Sequence, residues 1–188
     1  RNLNYDRWYG SIVRTAENHF IMVGGAKIKH DEVLTQDRVS HVPEILTSNE
    51  DGTLSWKILN EAKSLELLGS MENEEWSYPK FFLSSDGNPF GISYNKLWVM
   101  DKKNNYRISK VGEIPLVTGG ISEKIIHQNP NDKNDYKEVS TLTIGSPVGD
   151  KGSAVMIDKD KILFIGGQQN GEGYSASNQT ILIDISDS

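Results

Sequence analysis

A hydrophobic pattern that ends in two glycines occurs twice in this chain and places the tightest limit on its fold. Residues 10–25 read GSIVRTAENHFIMVGG and residues 152–167 read GSAVMIDKDKILFIGG, so the two segments align without a gap. A weaker copy, YPKFFLSSDGNPFGISY, spans residues 78–94 and places Tyr78 on Tyr9. One supersecondary unit therefore occurs three times, which is typical of β-propellers and related radial arrays.

Each copy predicts an antiparallel hairpin. In the first, residues 8–15 and 19–24 have the character of strands, and the polar segment 16–18 between them favours a turn. The pair Gly24-Gly25 indicates a point where the backbone needs a positive φ or a close approach to another segment.

Further strands complete the predicted units. They are residues 42–48 and 53–59 in the first unit, 96–101 and 106–111 in the second, and 180–186 in the third. We therefore predict an all-β chain of four-stranded antiparallel sheets, arranged as kelch-type β-propeller blades over approximately residues 7–60, 76–112 and 150–188. Residues 61–71 predict one short helix between blades.

Composition limits the classes of partner. The formal net charge of −6 argues against a nucleic-acid binder, and the absence of a long apolar stretch argues against a membrane span. The chain opens inside a strand-like segment, and a propeller needs roughly 4–8 blades to close. We therefore expect the remaining propeller blades of the same protein to lie beside the first and third units.

Two short motifs carry a family resemblance. Arg7-Trp8-Tyr9, followed by the hairpin that ends in Gly24-Gly25, resembles the glyoxal oxidase and galactose oxidase family of copper radical oxidases. The resemblance continues through Tyr78-Pro79 and the third hairpin, while residues 112–148 match poorly. It implies a seven-bladed propeller, of which this chain would hold about three blades, and most members of the family are secreted. The sequon at Asn178 is compatible with secretion.

The resemblance also implies a chemistry for Tyr9. In that family the matching tyrosine is a copper ligand, is cross-linked to a cysteine, and forms a radical when it is oxidised. Copper and the radical together remove two electrons from a small aldehyde, alcohol or carbohydrate and reduce O2 to H2O2. Tyr9 is thus the candidate catalytic residue and the candidate metal ligand, with copper as the cofactor.

The chain departs from the family pattern in several places. It has no cysteine, so a Tyr-Cys cofactor would need a cysteine outside these residues. The family's other ligands, a Tyr-His pair and a further histidine, would also lie outside them. The place of the family's shielding tryptophan reads Ala26-Lys27-Ile28. Tyr9 either lines a site on the propeller axis or packs structurally between blades. Because neighbouring residues in a strand face opposite ways, Trp8 is expected in a blade interface.

Arg7 and the remaining titratable groups have simpler interpretations. Arg7 is expected to anchor its motif through hydrogen bonds to carbonyl groups. His30 and His41 bracket acidic residues in a polar loop, which suggests a weak surface metal site, whereas His19 and His127 are expected in a turn and a loop. The acidic pairs Asp31-Glu32 and Glu74-Glu75 are expected in solvated loops.

Two functions follow from different classes of protein. The first is part of a copper radical oxidase, and the alternative is a non-catalytic kelch-type propeller that binds carbohydrate or protein. Fold alone does not decide between them.

Overall fold

The chain folds as antiparallel β-sheets. The structure is a computed structural model that describes residues 2–27, 34–71, 74–114, 117–127, 136–145, 152–167, 178 and 180–186. The first sheet contains four strands in chain order, which are β1 (Trp8–Arg14), β2 (Phe20–Ala26), β3 (Glu44–Ser48) and β4 (Leu54–Ile58). The second sheet has the same order, with β5 (Lys80–Leu83), β6 (Pro89–Ser93), β7 (Lys96–Asp101) and β8 (Arg107–Glu113). The predicted all-β class with four-stranded antiparallel sheets is confirmed.

Five further strands lie among the described residues of the second half of the chain. Strands β9 (Val117–His127) and β10 (Tyr136–Gly145) form a two-stranded antiparallel ribbon. Strands β11 (Ser153–Asp158), β12 (Lys161–Ile165) and β13 (Thr180–Asp184) form the third sheet, in that order. The ribbon departs from the expectation that every sheet would have about four strands, and it occupies the poorly matched segment 112–148.

Backbone conformation supports the equivalence of the three hairpins. Equivalent turn positions adopt positive φ in each copy, at Asn18 (61°), Gly87 (88°) and Asp160 (56°). The Gly24-Gly25 pair has φ values of 63° and 85°, and the pair Gly166-Gly167 has values of 62° and 94°. The predicted positive φ at the paired glycines is therefore confirmed in both copies that carry them.

A shared hydrophobic core joins the first two sheets. Ile21, Val23 and Ile45 from the first sheet pack in one cluster with Trp98 and Met100 from the second. Strand β6 passes directly over the Trp98 ring. A Cβ atom added to Gly91 on this strand would lie only 2.1 Å from that ring. Packing at this density explains why the strand carries glycine at that position.

The predicted helix over residues 61–71 is shorter than expected. A 3-10 turn at Asn60–Ala62 precedes a single α-helical turn, α1 (Leu65–Leu68). The Ser64 hydroxyl caps α1 by accepting a hydrogen bond of 3.1 Å from the backbone N–H of Leu67. Leu67 and Leu68 are buried in the core shared by the first two sheets, so this turn acts as a lid on that core. Two other 3-10 turns lie at Gln36–Arg38 and Lys102–Asn104.

The chain divides into two compact units. The first contains residues 1–113, 158–161 and 184–188, and the second contains residues 114–157 and 162–183. All of the site described next lies in the first unit.

Candidate aromatic site around Tyr9

A buried ion pair holds the segment that leads into β1. The Arg7 Nε atom lies 3.1 Å from Glu44 Oε1, and both side chains are completely buried. Arg7 also donates to two carbonyl oxygens, to Gly24 at 2.7 Å and to Val42. Burial lowers the pKa of Arg7 from its ordinary value, while the Glu44 carboxylate opposes that shift. Arg7 thus anchors the motif through carbonyl groups, as the sequence predicts.

Glu44 completes this network, and the sequence analysis did not single it out. Its Oε2 atom accepts hydrogen bonds from Asn4, from the backbone N–H at 2.6 Å and from the side-chain amide at 2.7 Å. Its Oε1 atom also accepts from the backbone N–H of Tyr5 at 3.2 Å. The only sequence signal was a lone carboxylate at the start of an apolar strand. A carboxylate with this many donors is one that the fold can bury.

The backbone conformation of Tyr9 breaks the expected alternation of side chains between Trp8 and Tyr9. Its φ angle is 66°, an unusual value for a bulky residue, and Tyr78 at the equivalent position has a φ of 47°. The strict alternation of side chains in a strand does not hold at such a residue. The Trp8 and Tyr9 rings therefore lie close together, with centroids 4.8 Å apart. Trp8 is 51% exposed among the described residues, so its predicted position in an interface between blades stays a prediction.

Three aromatic rings gather around that of Tyr9. Its ring lies nearly parallel to that of Trp76, at an interplanar angle of 17° and a centroid distance of 6.2 Å. The Tyr78 ring is closer, at 4.6 Å and an angle of 31°. Trp76 is buried, Tyr9 is half-buried, and Trp8 and Tyr78 are exposed. We call these four residues the aromatic cluster.

Trp76 reaches Tyr9 through backbone contacts that sequence reasoning missed. The Trp76 carbonyl accepts a hydrogen bond of 2.7 Å from the N–H of Gly25, and the Tyr9 carbonyl accepts one of 2.8 Å from the N–H of Tyr78. These two bonds tie the loop before β5 to the first sheet. Neither leaves a local sequence signal, because the partners are far apart in the chain.

The Tyr9 hydroxyl makes no hydrogen bond with any of the described residues, whereas the Trp98 indole N–H, for comparison, donates one of 2.9 Å to the Ser93 hydroxyl. A phenol in this state has an oxygen available to a ligand and a ring stabilised by its aromatic neighbours. The predicted direction of the hydroxyl toward a propeller axis stays a prediction.

The histidines and acidic pairs are distributed differently from the sequence expectation. Glu75 is completely buried and lies 3.0 Å from the Lys96 ammonium group, so it does not lie in a solvated loop, whereas Glu74 is exposed. The Lys96 ammonium group, on a side chain that is 17% exposed, explains the difference, because it offsets the cost of removing the Glu75 carboxylate from water. His127 ends strand β9 and does not lie in the loop after it.

The suggested surface metal site stays a prediction. His30, Asp31 and Glu32 fall outside the described residues, while the His41 Nδ1 atom lies 3.2 Å from the Val39 carbonyl oxygen. His19 is half-buried at the end of the first hairpin turn. Among the described residues, no group of three or more His, Cys, Asp or Glu side chains is placed to hold a metal ion.

Comparison with known proteins gave no match to a family model and none to a curated protein. Within the ranges that the structure describes, no helix has the length and apolar character needed to cross a bilayer.

Proposed function

We propose that this chain is part of a propeller-type oxidase similar to the copper radical oxidases, with Tyr9 as its redox-active phenol. The observation that carries the proposal is the Tyr9 hydroxyl, which has no hydrogen bond to the described residues although its ring is half-buried among three other aromatic rings. Because this hydroxyl is not bonded within the described residues, its oxygen is free of them to contact a metal ion or a substrate.

The described residues do not by themselves fit a copper site. Copper(II) favours nitrogen and oxygen ligands in a tetragonal arrangement. The aromatic cluster offers the phenols of Tyr9 and Tyr78 but no imidazole, and no three acidic or imidazole side chains converge in the described parts of the chain. No reaction step through copper is derived from these residues. The proposal therefore needs the missing ligands, and any cysteine, to come from the remaining propeller blades.

The role of the chain's own residues is to hold and shield the phenol. Arg7 and Glu44 fix the start of β1, which positions Tyr9. Trp76 lies parallel to the Tyr9 ring and takes the place of the shielding tryptophan that is missing at residues 26–28.

In the overall reaction, a small alcohol loses two hydrogens to become an aldehyde and O2 gains them to become H2O2. An aldehyde hydrate would give a carboxylic acid in the same way. Secretion belongs to this proposal, and Asn178 in its sequon is exposed.

The two exposed rings of the aromatic cluster favour a second candidate function, which is carbohydrate binding. Trp8 is 51% exposed and Tyr78 is 46% exposed, and both rings contact Tyr9. Exposed aromatic faces of this kind stack against the apolar faces of sugar rings. A non-catalytic module would use the cluster as a carbohydrate-binding platform.

The test compares Tyr9→Phe with Tyr78→Phe in the intact protein. We expect Tyr9→Phe to abolish the copper-dependent radical absorption and peroxide production, while Tyr78→Phe retains both. Neither hydroxyl bonds a described residue, so the melting temperature of both variants should stay close to that of the wild type. Peroxide production at the wild-type rate in Tyr9→Phe would remove Tyr9 from the mechanism. A copper-loaded wild-type protein that produces no peroxide, yet shows saturable quenching of tryptophan fluorescence by a saccharide, would favour the binding module.

A further inference from the structure

Two tyrosine rings of the aromatic cluster are in direct contact. The ring centroids of Tyr9 and Tyr78 are 4.6 Å apart, and the ring planes are tilted by 31°. Rings at this separation touch, since aromatic pairs in contact have centroids about 4.5–7 Å apart. The two residues are far apart in the chain, so the fold creates this pair of phenols.

The backbone holds the two tyrosines in this contact. The N–H of Tyr78 donates a hydrogen bond of 2.8 Å to the Tyr9 carbonyl oxygen. Pro79, the next residue, packs tightly on strand β2, where a Cβ atom added to Gly24 would lie 2.8 Å from the Pro79 ring. Two reactive groups that are held together in this way react with each other far more readily than two groups that must meet by diffusion.

The two phenols differ in their access to solvent. Tyr78 is exposed, whereas Tyr9 is half-buried. Neither hydroxyl makes a hydrogen bond with the described residues, so none of these residues holds either phenolic proton. A dissolved oxidant can therefore reach Tyr78 directly. The exposed ring of Trp8, whose centroid lies 4.8 Å from that of Tyr9, offers a second point at which an oxidant can remove an electron.

The chemistry of oxidised phenols gives this contact a product. A phenol that loses one electron and one proton becomes a phenoxyl radical, whose unpaired electron is shared between the oxygen and the neighbouring ring carbons. Two such radicals couple through those carbons to form a carbon–carbon bond. The hydrogen on each coupled carbon then moves to the oxygen, which restores both hydroxyl groups. The linked pair has lost two hydrogens, and two one-electron oxidants have been reduced.

We propose that Tyr9 and Tyr78 form an oxidative modification site, at which a one-electron oxidant joins the two rings as dityrosine. The bond connects strand β1 to the loop before β5 and encloses residues 10–77 in a covalent loop. Such a bridge restricts the unfolded chain, so the linked protein should have a higher melting temperature. The reaction needs no copper and no ligand from outside these residues, so it does not depend on the oxidase proposal.

The test oxidises the intact protein with photogenerated tris(bipyridine)ruthenium(III), with persulfate as the final electron acceptor and a chelator present to remove copper. Trypsin releases Tyr9 in the peptide 8–14 and Tyr78 in the peptide 64–80. We expect these two peptides to be recovered joined, at a mass two hydrogens below their sum and with dityrosine fluorescence. The joined peptide should come from the monomer at low protein concentration, because the two rings already touch within one chain.

Matched variants locate the bond. Tyr9→Phe and Tyr78→Phe should each abolish the joined peptide, whereas Tyr5→Phe, which changes an exposed tyrosine outside the aromatic cluster, should leave its yield unchanged. Neither Tyr9 nor Tyr78 bonds a described residue through its hydroxyl, so both variants should keep the wild-type melting temperature before oxidation. Free tyrosine treated in the same way shows that the oxidant is active. Absence of the joined peptide under those conditions would overturn the proposal, as would its persistence in either variant.

Discussion

At the scale of single residues, Gly25 is subject to two constraints that exclude a side chain. Its φ of 85° lies in the left-handed region, and a Cβ atom there would lie 2.9 Å from the Trp8 carbonyl oxygen and 3.0 Å from the Arg7 Cβ atom. Gly52 has a similar φ of 78°, but nothing lies within 4 Å of the position of its Cβ atom. Comparing alanine substitutions at these two glycines therefore separates the energetic cost of the backbone conformation from the cost of close packing.

We expect Gly25→Ala to destabilise the protein far more than Gly52→Ala. The left-handed conformation alone costs a residue with a Cβ atom roughly 1–2 kcal/mol, and this is the loss expected for Gly52→Ala. Gly25→Ala adds a backbone collision that must push β1 away from β2, so its loss should exceed about 3 kcal/mol. Urea unfolding of both variants measures the difference. Equal losses would show that close packing at Gly25 has no energetic weight.

At the scale of elements, one ion pair attaches the segment before β1 to strand β3. Replacing Arg7 leaves the Glu44 carboxylate buried without its cation, so Arg7→Met should cost about 3–5 kcal/mol of unfolding free energy. The double variant Arg7→Met with Glu44→Gln removes both charges and should recover part of that loss. Denaturant unfolding of the two variants measures it.

The control for this prediction is the neighbouring exposed pair. Lys27 and Asp6 are separated by 3.2 Å, but their side chains are 55% and 68% exposed. Solvent screens such a pair, so Lys27→Met should change stability by less than about 1 kcal/mol. A loss in Lys27→Met as large as that in Arg7→Met would mean that burial does not set the strength of these contacts.

The elements also show where sequence reasoning succeeds and where it stops. Period-two alternation and turn residues predicted the strands of the first two sheets, because a strand directs successive side chains to opposite faces and so leaves its pattern locally. The same alternation failed at Trp8 and Tyr9, since the positive φ of Tyr9 brings the two rings together. Trp76 and Glu44 are positioned by contacts with distant parts of the chain, and such contacts leave no periodic pattern in the sequence.

At the scale of the whole molecule, the first sheet has two apolar faces, and only one is covered by the described residues. One face carries Val13, Ile21 and Ile45, which pack in the core shared with the second sheet. The strand register places Ile12 beside Met22 on the other face, which is continuous with Phe20 and its partner Leu46. On that second face Ile12 is 54% exposed and Phe20 is 37% exposed.

The repeat indicates what covers this exposed face. The hairpin alignment places Phe81 of the second sheet at the position of Ile12, and Phe81 packs against the core shared with the first sheet. The face of the second sheet that corresponds to the exposed face of the first is therefore covered by its neighbouring sheet. By the same relation, our proposal that further blades belong to this protein predicts that one of them covers Ile12.

We therefore expect Ile12→Lys to destabilise the intact protein while it leaves the 188-residue chain almost unchanged. In the isolated chain the new ammonium group would be in water, because Ile12 is 54% exposed there. Under a covering blade it would be a buried, unpaired charge, and the loss should be about 3 kcal/mol or more. Leu65→Lys is the matched control, since Leu65 is 50% exposed on α1 and lies outside this face, and it should be silent in both proteins. Equal melting temperatures for Ile12→Lys and wild type in the intact protein would mean that no blade covers the first sheet, and the radial array would then be wrong.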